Sequence, residues 1–149
     1  MEVQPDFRDM LASLNKRGVE YVIVGAYALA HHGIPRNTGD IDIYLRPSRE
    51  NAKRMVEVLG EFGFGSLGLT EGDFTEPDQI IQLGRPPVRI DLLTSISGVS
   101  WEEADAGKVA GVYGDVPVAY LGRSQLAANK RAAGRKKDLA DLEALGEEP

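Results

Sequence analysis

The chain has 149 residues, 42% of them hydrophobic, with no cysteine and a formal net charge of −6. Such values fit one domain with its own core, exclude disulfides and thiolate zinc sites, and leave the chain without the net positive charge that general DNA binding draws on. No run approaches the roughly 18 apolar residues of a membrane span, and the opening Met1-Glu2-Val3-Gln4-Pro5-Asp6 has neither the basic start nor the apolar block of a secretory signal, so a cytoplasmic location is expected.

Phe7, Met10, Leu11 and Leu14 recur at helical spacing between about Asp6 and Lys16, and Gly18 follows as a stop. Val19 to Val24 reads as a buried strand, which Gly25 turns into an Ala-rich helix running to about His32. Gly33, Pro35, Asn37 and Gly39 mark a loop into an acidic strand from Asp40 to Leu45, ended by Pro47 and Ser48. Ser48 is placed to cap a helix with the stripe Ala52, Met55, Val56 and Leu59, closing near Gly60 or Gly63. The glycine-rich run from Gly63 to Gly72 is expected to be irregular. Gln79 to Gly84 and Val88 to Leu93 predict an antiparallel hairpin turning at Arg85-Pro86-Pro87. Trp101 to Ala106 predicts a short helix, Lys108 to Tyr113 and Val116 to Leu121 an edge hairpin, and Arg123 onward helix with a break near Gly134. Hairpins among helices exclude a purely alternating βαβ order. The expected class is therefore α+β, a mixed β-sheet with helices packed on it, in a single domain over 1–149 whose C-terminal segment from about 123 is helical.

The most informative residues are Asp40 and Asp42. On a strand they leave one face while Ile41 and Ile43 enter the core on the other. Two carboxylates held side by side require a counter-ion, and with oxygen ligands a hard divalent cation, Mg2+ or Mn2+, is the expected one. Asp91 interrupts a later apolar strand in the same way, and three acids on neighbouring strands suit two-metal phosphoryl chemistry; taken alone, Asp91 reads as a surface residue of a half-exposed strand. Gly25 and Ala26 stand where a strand becomes a helix, a place where backbone N–H groups meet phosphate but also where ordinary turns occur. Thr38 and Arg36 are candidate phosphate contacts, against an ST-turn and an exposed cation. Lys130, in the basic run up to Lys137, and Asp138 lie eight residues apart, on roughly similar faces about two turns apart in an unbroken helix, a path that Gly134 can bend, and ordinary surface charges are the alternative. His31, His32, Trp101 and Tyr120 read as packing residues.

The run from Val24 to Leu45 (VGAYALAHHGIPRNTGDIDIYL), with RIDLL at Arg89–Leu93, resembles the nucleotidyltransferase superfamily that includes DNA polymerase beta and many small bacterial proteins. The tail LGRSQLAANKRAAGRKKDLADLEAL is similar to the terminal Lys and Asp segment of AbiEii-like, toxin-like members, so the resemblance spans roughly Gly18 to Leu145. It implies a magnesium-dependent transfer of a nucleoside monophosphate from a nucleoside triphosphate to an unidentified acceptor, such as a tRNA, a protein or a small molecule, with release of pyrophosphate. It implies catalytic and metal roles for Asp40, Asp42 and Asp91, and nucleotide contacts at Gly25, Ala26, Arg36, Thr38, Lys130 and Asp138. A toxin-like member would have an antitoxin partner. Two positions depart from the family pattern: Ala26 replaces a Gly or Ser, and Gly39 replaces the Ser that often precedes the first aspartate. They motivate the alternative of a nucleotide-binding or regulatory protein without turnover. A haloacid-dehalogenase-like reading of the Asp-x-Asp pair expects Thr or Val where Tyr44 stands and leaves the upstream strand-glycine unit unexplained, and a purely structural domain must treat three interrupted strands as accidents.

Overall fold

The computed structural model describes residues 2–36, 38–85 and 87–149. Met1, Asn37 of the loop and Pro86 of the turn lie outside the described residues. Helix α1 (Pro5–Lys16) leads into strand β1 (Tyr21–Val24), helix α2 (Gly25–His31) and strand β2 (Asp40–Leu45). Helix α3 (Arg49–Glu61) begins where Ser48 accepts a hydrogen bond from the Asn51 N–H, the capping arrangement its sequence predicts. The glycine-rich stretch is more ordered than expected. It holds a 3-10 turn (Gly65–Leu67) and a short helix α4 (Glu71–Thr75), which Thr70 and Asp73 start with a reciprocal capping box. Strands β3 (Ile80–Arg85) and β4 (Val88–Leu93) form the first hairpin, helix α5 (Trp101–Gly107) follows, and β5 (Val109–Tyr113) and β6 (Val116–Tyr120) form the second. Helices α6 (Arg123–Ala133) and α7 (Lys136–Ala144) close the chain around Gly134, whose φ of 65° is the left-handed conformation a glycine tolerates best.

The sheet runs β3-β4-β2-β1-β6-β5. Hairpin partners are antiparallel, as are β1 and β2, while β2 with β4 and β1 with β6 are parallel. The mixed order follows because β1 and β2 occupy the centre and each hairpin is attached at a flank. Strand alternation then separates two cores. Tyr21, Ile23, Ile41, Ile43, Leu83, Ile90 and Leu92 join α1 and α3 on one face. Val22, Val24 and Tyr44 join Trp101, Leu121 and Leu126 on the other, with half-buried Leu93 and Ile96 at the margin. The second core covers only part of its face, and where it stops the side chains of β2 and β4 become acidic. The histidines and large aromatics pack as their surroundings suggest: His31 stacks on Tyr120 at 4.3 Å, His32 Nε2 lies 2.8 Å from the Leu121 carbonyl, and Trp101 meets Tyr44 edge-on. Among the described residues no helix is long and apolar enough to cross a membrane.

Candidate active site

Register places the acids. Asp42 of β2 pairs opposite Asp91 of β4, and Asp40 opposite Arg89, so all four side chains leave the sheet on the face that the second core leaves open. Arg89 binds Asp91 with two hydrogen bonds, Nε to Oδ1 at 2.7 Å and Nη2 to Oδ2 at 3.0 Å, and reaches Asp40 Oδ2 at 2.8 Å. Asp42 faces the same group with less compensation. Burial, then the charge of Asp91 and hydrogen bonding with it, then the charge of Asp40 push the Asp42 carboxyl up to about 6, with Arg89 pulling the other way. Three carboxylates thus share one guanidinium.

Gly25 makes this packing possible. Its φ is 67°, and a Cβ there would collide with Asp42 Oδ2. Any larger residue would displace the carboxylate, so the glycine is required by the acid beside it as well as by the strand-to-helix turn. Gly39 has a comparable cause: a Cβ there would run into the Pro87 carbonyl, and the Gly39 carbonyl itself accepts from the Arg89 N–H at 3.3 Å. The departure from Ser at this position is a steric consequence of how close the β3–β4 turn comes to the start of β2. Thr38 forms a local turn, with its hydroxyl accepting from the Asp40 N–H at 3.2 Å.

These residues open into a cleft of about 800 Å3 whose lining includes Gly25, Ala26, Arg36, Thr38, Asp40, Asp42, Asp91 and Lys130. Every candidate from the sequence except Asp138 therefore reaches one cavity. Asp138 is fully buried behind it. The helical turn at Gly134 does not separate Lys130 from Asp138, because α6 and α7 fold back on each other: Lys130 Nζ sits 3.3 Å from Asp138 Oδ1 and 3.1 Å from Asp141 Oδ2. Arg135 closes the cluster through its Nε at 2.7 Å and its backbone N–H at 3.1 Å to Asp138 Oδ2. Arg36 pairs with Asp141. Burial alone would raise the Asp138 carboxyl; hydrogen bonds from Arg135 and Lys130 outweigh it and hold the group below the usual carboxylate range.

Sequence reading missed Arg89 and Asp141. Arg89 carried a signal, since it stands two residues before Asp91 and so shares its face. Asp141 had only its helical spacing of three from Asp138, which any surface pair shares.

Among the described residues no group of three His, Asp or Glu side chains stands close enough to hold a metal ion as placed, since Arg89 lies among the carboxylates. The donor set nevertheless fits a hard cation: all donors are carboxylate oxygens, two are paired across adjacent strands, and Asp42 sits where its negative form is disfavoured until positive charge arrives.

No protein-family profile matches the chain, and no curated protein matches it. Solved structures do. TM1012 of Thermotoga maritima, a candidate nucleotidyltransferase, superposes with a TM-score of 0.59 at 14% identity over 97% of this chain and 93% of its own. The antibiotic-resistance factor ANT(2'')-Ia gives 0.55 at 14% identity over 93% and 80%. The lincosamide antibiotic adenylyltransferase LnuA, in its lincomycin-bound form, gives 0.55 at 12% identity over 98% of each chain.

Proposed function

From a chain that has the nucleotidyltransferase fold, we propose an enzyme that moves a nucleoside monophosphate from a nucleoside triphosphate to an acceptor hydroxyl. The observation that carries this is the register of β2 against β4, which brings Asp40, Asp42 and Asp91 to one face at the mouth of a cleft. Carboxylates unrelated to a site would not converge from two strands onto the uncovered end of a sheet. Asp40, Asp42 and Asp91 are the residues that would hold Mg2+ or Mn2+. Such a cation, when bound, supplies neutralising charge for the triphosphate and lowers the pKa of an attacking hydroxyl.

The chain's own residues then divide the work. Gly25 and Ala26 keep the approach to the β1–α2 turn free of bulk. Arg36, Lys130, Arg135 and Lys137 line the cleft toward α6 and α7 and give it a cationic wall for phosphate oxygens. Asp138 orients Lys130 from behind. In the reaction the acceptor oxygen bonds to the α-phosphorus, the bond from that phosphorus to the oxygen bridging to the β-phosphorus breaks, and pyrophosphate leaves with the electron pair. The hydroxyl proton passes to the Asp91 carboxylate and from there to water.

Binding of a non-hydrolysable triphosphate, followed by label transfer from ATP and the other nucleoside triphosphates with Mg2+ and with EDTA, tests the proposal. Metal-dependent binding and labelled product that disappear in Asp42→Asn support it; absence of metal-dependent binding defeats it. One specific observation favours a second reading, a nucleotide-binding protein without turnover: Arg89 already neutralises part of the triad. Tight magnesium–nucleotide binding with no product on any acceptor would select that reading.

A further inference from the structure

The cleft is asymmetric in a way the transfer chemistry leaves unexplained. Four carboxylates line it (Asp40, Asp42, Asp91 and Asp141) against five cations (Arg36, Arg89, Lys130, Arg135 and Lys137), in a chain whose net charge is −6. The cations other than Arg89 belong to the α2–β2 loop and the α6–α7 segment, where Arg36, Lys130 and Arg135 outnumber the two carboxylates, Asp138 and Asp141, that they pair with. The other flank, along the edge strand β3, is built differently. Gln82 pairs opposite Asp91, so its amide leaves the same face one strand farther out. Ile80 lies two residues along that face, opposite Leu93, and is 63% exposed. With half-buried Leu93 and Ile96 it forms an apolar strip that opens into the cleft. Asp78, beside the start of β3, is engaged by the Ser95 hydroxyl at 2.7 Å and does not line the cleft.

Resting on the transferase reading above, we propose that this β3 flank is the acceptor subsite and that it takes an uncharged hydroxyl compound with an apolar face rather than a polycation. Three features of the flank argue for that class. A polycationic acceptor needs carboxylates to replace its water, and here both oxygens of the nearest acid, Asp91, already accept from Arg89 while the cleft lining as a whole is not acidic. An uncharged hydroxyl needs a neighbour that both donates and accepts, which the Gln82 amide does. An alkyl or other apolar face needs a surface to cover, which Ile80, Leu93 and Ile96 provide. Placed there, the acceptor hydroxyl lies at the strand acids while the anionic nucleotide takes the cationic end.

The test uses the full chain, Mg2+ and labelled ATP with two pools of hydroxyl compounds of matched size, uncharged alkyl glycosides in one and polyamino sugars in the other. Affinity for α,β-methylene-ATP with Mn2+ is measured alongside. Labelled product is expected from the alkyl glycosides alone. Gln82→Glu and Ile80→Lys, both at exposed edge positions, are each expected to reduce that product about tenfold or more through acceptor KM, with nucleotide affinity unchanged. Product from polyamino sugars, no product from either pool despite nucleotide binding, or product indifferent to both substitutions would overturn the acceptor assignment and leave nucleotide binding by the fold standing. Loss of nucleotide binding in the unaltered protein is a different result: it defeats the transferase reading, and this subsite with it.

Discussion

Two clusters of carboxylates face one cleft, and they are solved in opposite ways. On the strands, Asp40, Asp42 and Asp91 share the single guanidinium of Arg89, and Asp42 is held well above the ordinary range of an aspartate. On the helices, Asp138 and Asp141 share Lys130, Arg135 and Arg36, and Asp138 is held below that range. The helical cluster has three cations for two carboxylates, so its acids are fully compensated and contribute to stability while positive charge is left toward the cleft. The strand cluster is short of positive charge, a state a protein tolerates where a ligand brings the missing charge. Burial alone does not separate the two, because Asp91 and Asp141 are 7% and 6% exposed. The count of partners does.

Substitutions sharpen that contrast. The largest effect is expected from Asp42→Asn: transfer should fall on the order of 1,000-fold, about 4 kcal/mol in transition-state terms, while the metal-free protein unfolds at no lower temperature than the parent. Pyrophosphate release and thermal melts measure the two quantities, and a marked loss of stability would place Asp42 with the structural acids. Asp138→Ala should act first on stability. Leaving Lys130 and Arg135 without their buried partner should cost about 3 kcal/mol in denaturant titration, and an unchanged midpoint would show that Asp141 alone satisfies the lysine.

Gly25→Ala combines a left-handed φ with a collision on Asp42 and should destabilise by about 2 kcal/mol; relief of most of that loss in a Gly25→Ala, Asp42→Ala double variant would trace it to the carboxylate. The smallest effect is the dependence on pH. Asp42 has a folded pKa of about 6, above its unfolded value, so its contribution to stability is fully present below the ordinary aspartate range and is lost as pH rises through about 6. That decline should amount to on the order of 1 kcal/mol once solvent screening at a half-buried group is allowed for, and it should vanish in Asp42→Asn or under saturating Mn2+. Asp138, with its lowered pKa, contributes above the ordinary aspartate range and loses that contribution as pH falls through its folded value. A melt series in which both clusters behaved alike would erase the distinction.

The elements that positioned the strand cluster were readable because their signals are local. The alternation of Asp40, Ile41, Asp42 and Ile43 reports one strand with two unlike faces, and β2 has the bounds that pattern predicts. Ser48 and Gly134 announced a cap and a break by side-chain chemistry and by conformational freedom respectively. The short helix α4 escaped notice, because Gly68 before it and Gly72 within it suggest irregular chain while its capping box spans only Thr70 to Asp73. An unbroken helix would put Lys130 and Asp138 on similar faces about two turns apart, and the break expected near Gly134 leaves their contact unspecified; they meet across a helical hairpin, with Asp141 joining from the next turn.

Sequence alone determined which side chains share a strand face, since the period of two is a property of the extended backbone and needs no partner. It thereby determined that Asp40 and Asp42 point together and that Arg89 and Asp91 do so too. Only the tertiary structure decided that β4 lies parallel beside β2 with Asp42 level with Asp91, that Gln82 stands one strand beyond, and that Arg36 and Asp141 meet across 105 residues of chain. Register between strands and the docking of helices come from how two cores fill, and that sum over distant contacts is written in no local stretch of residues.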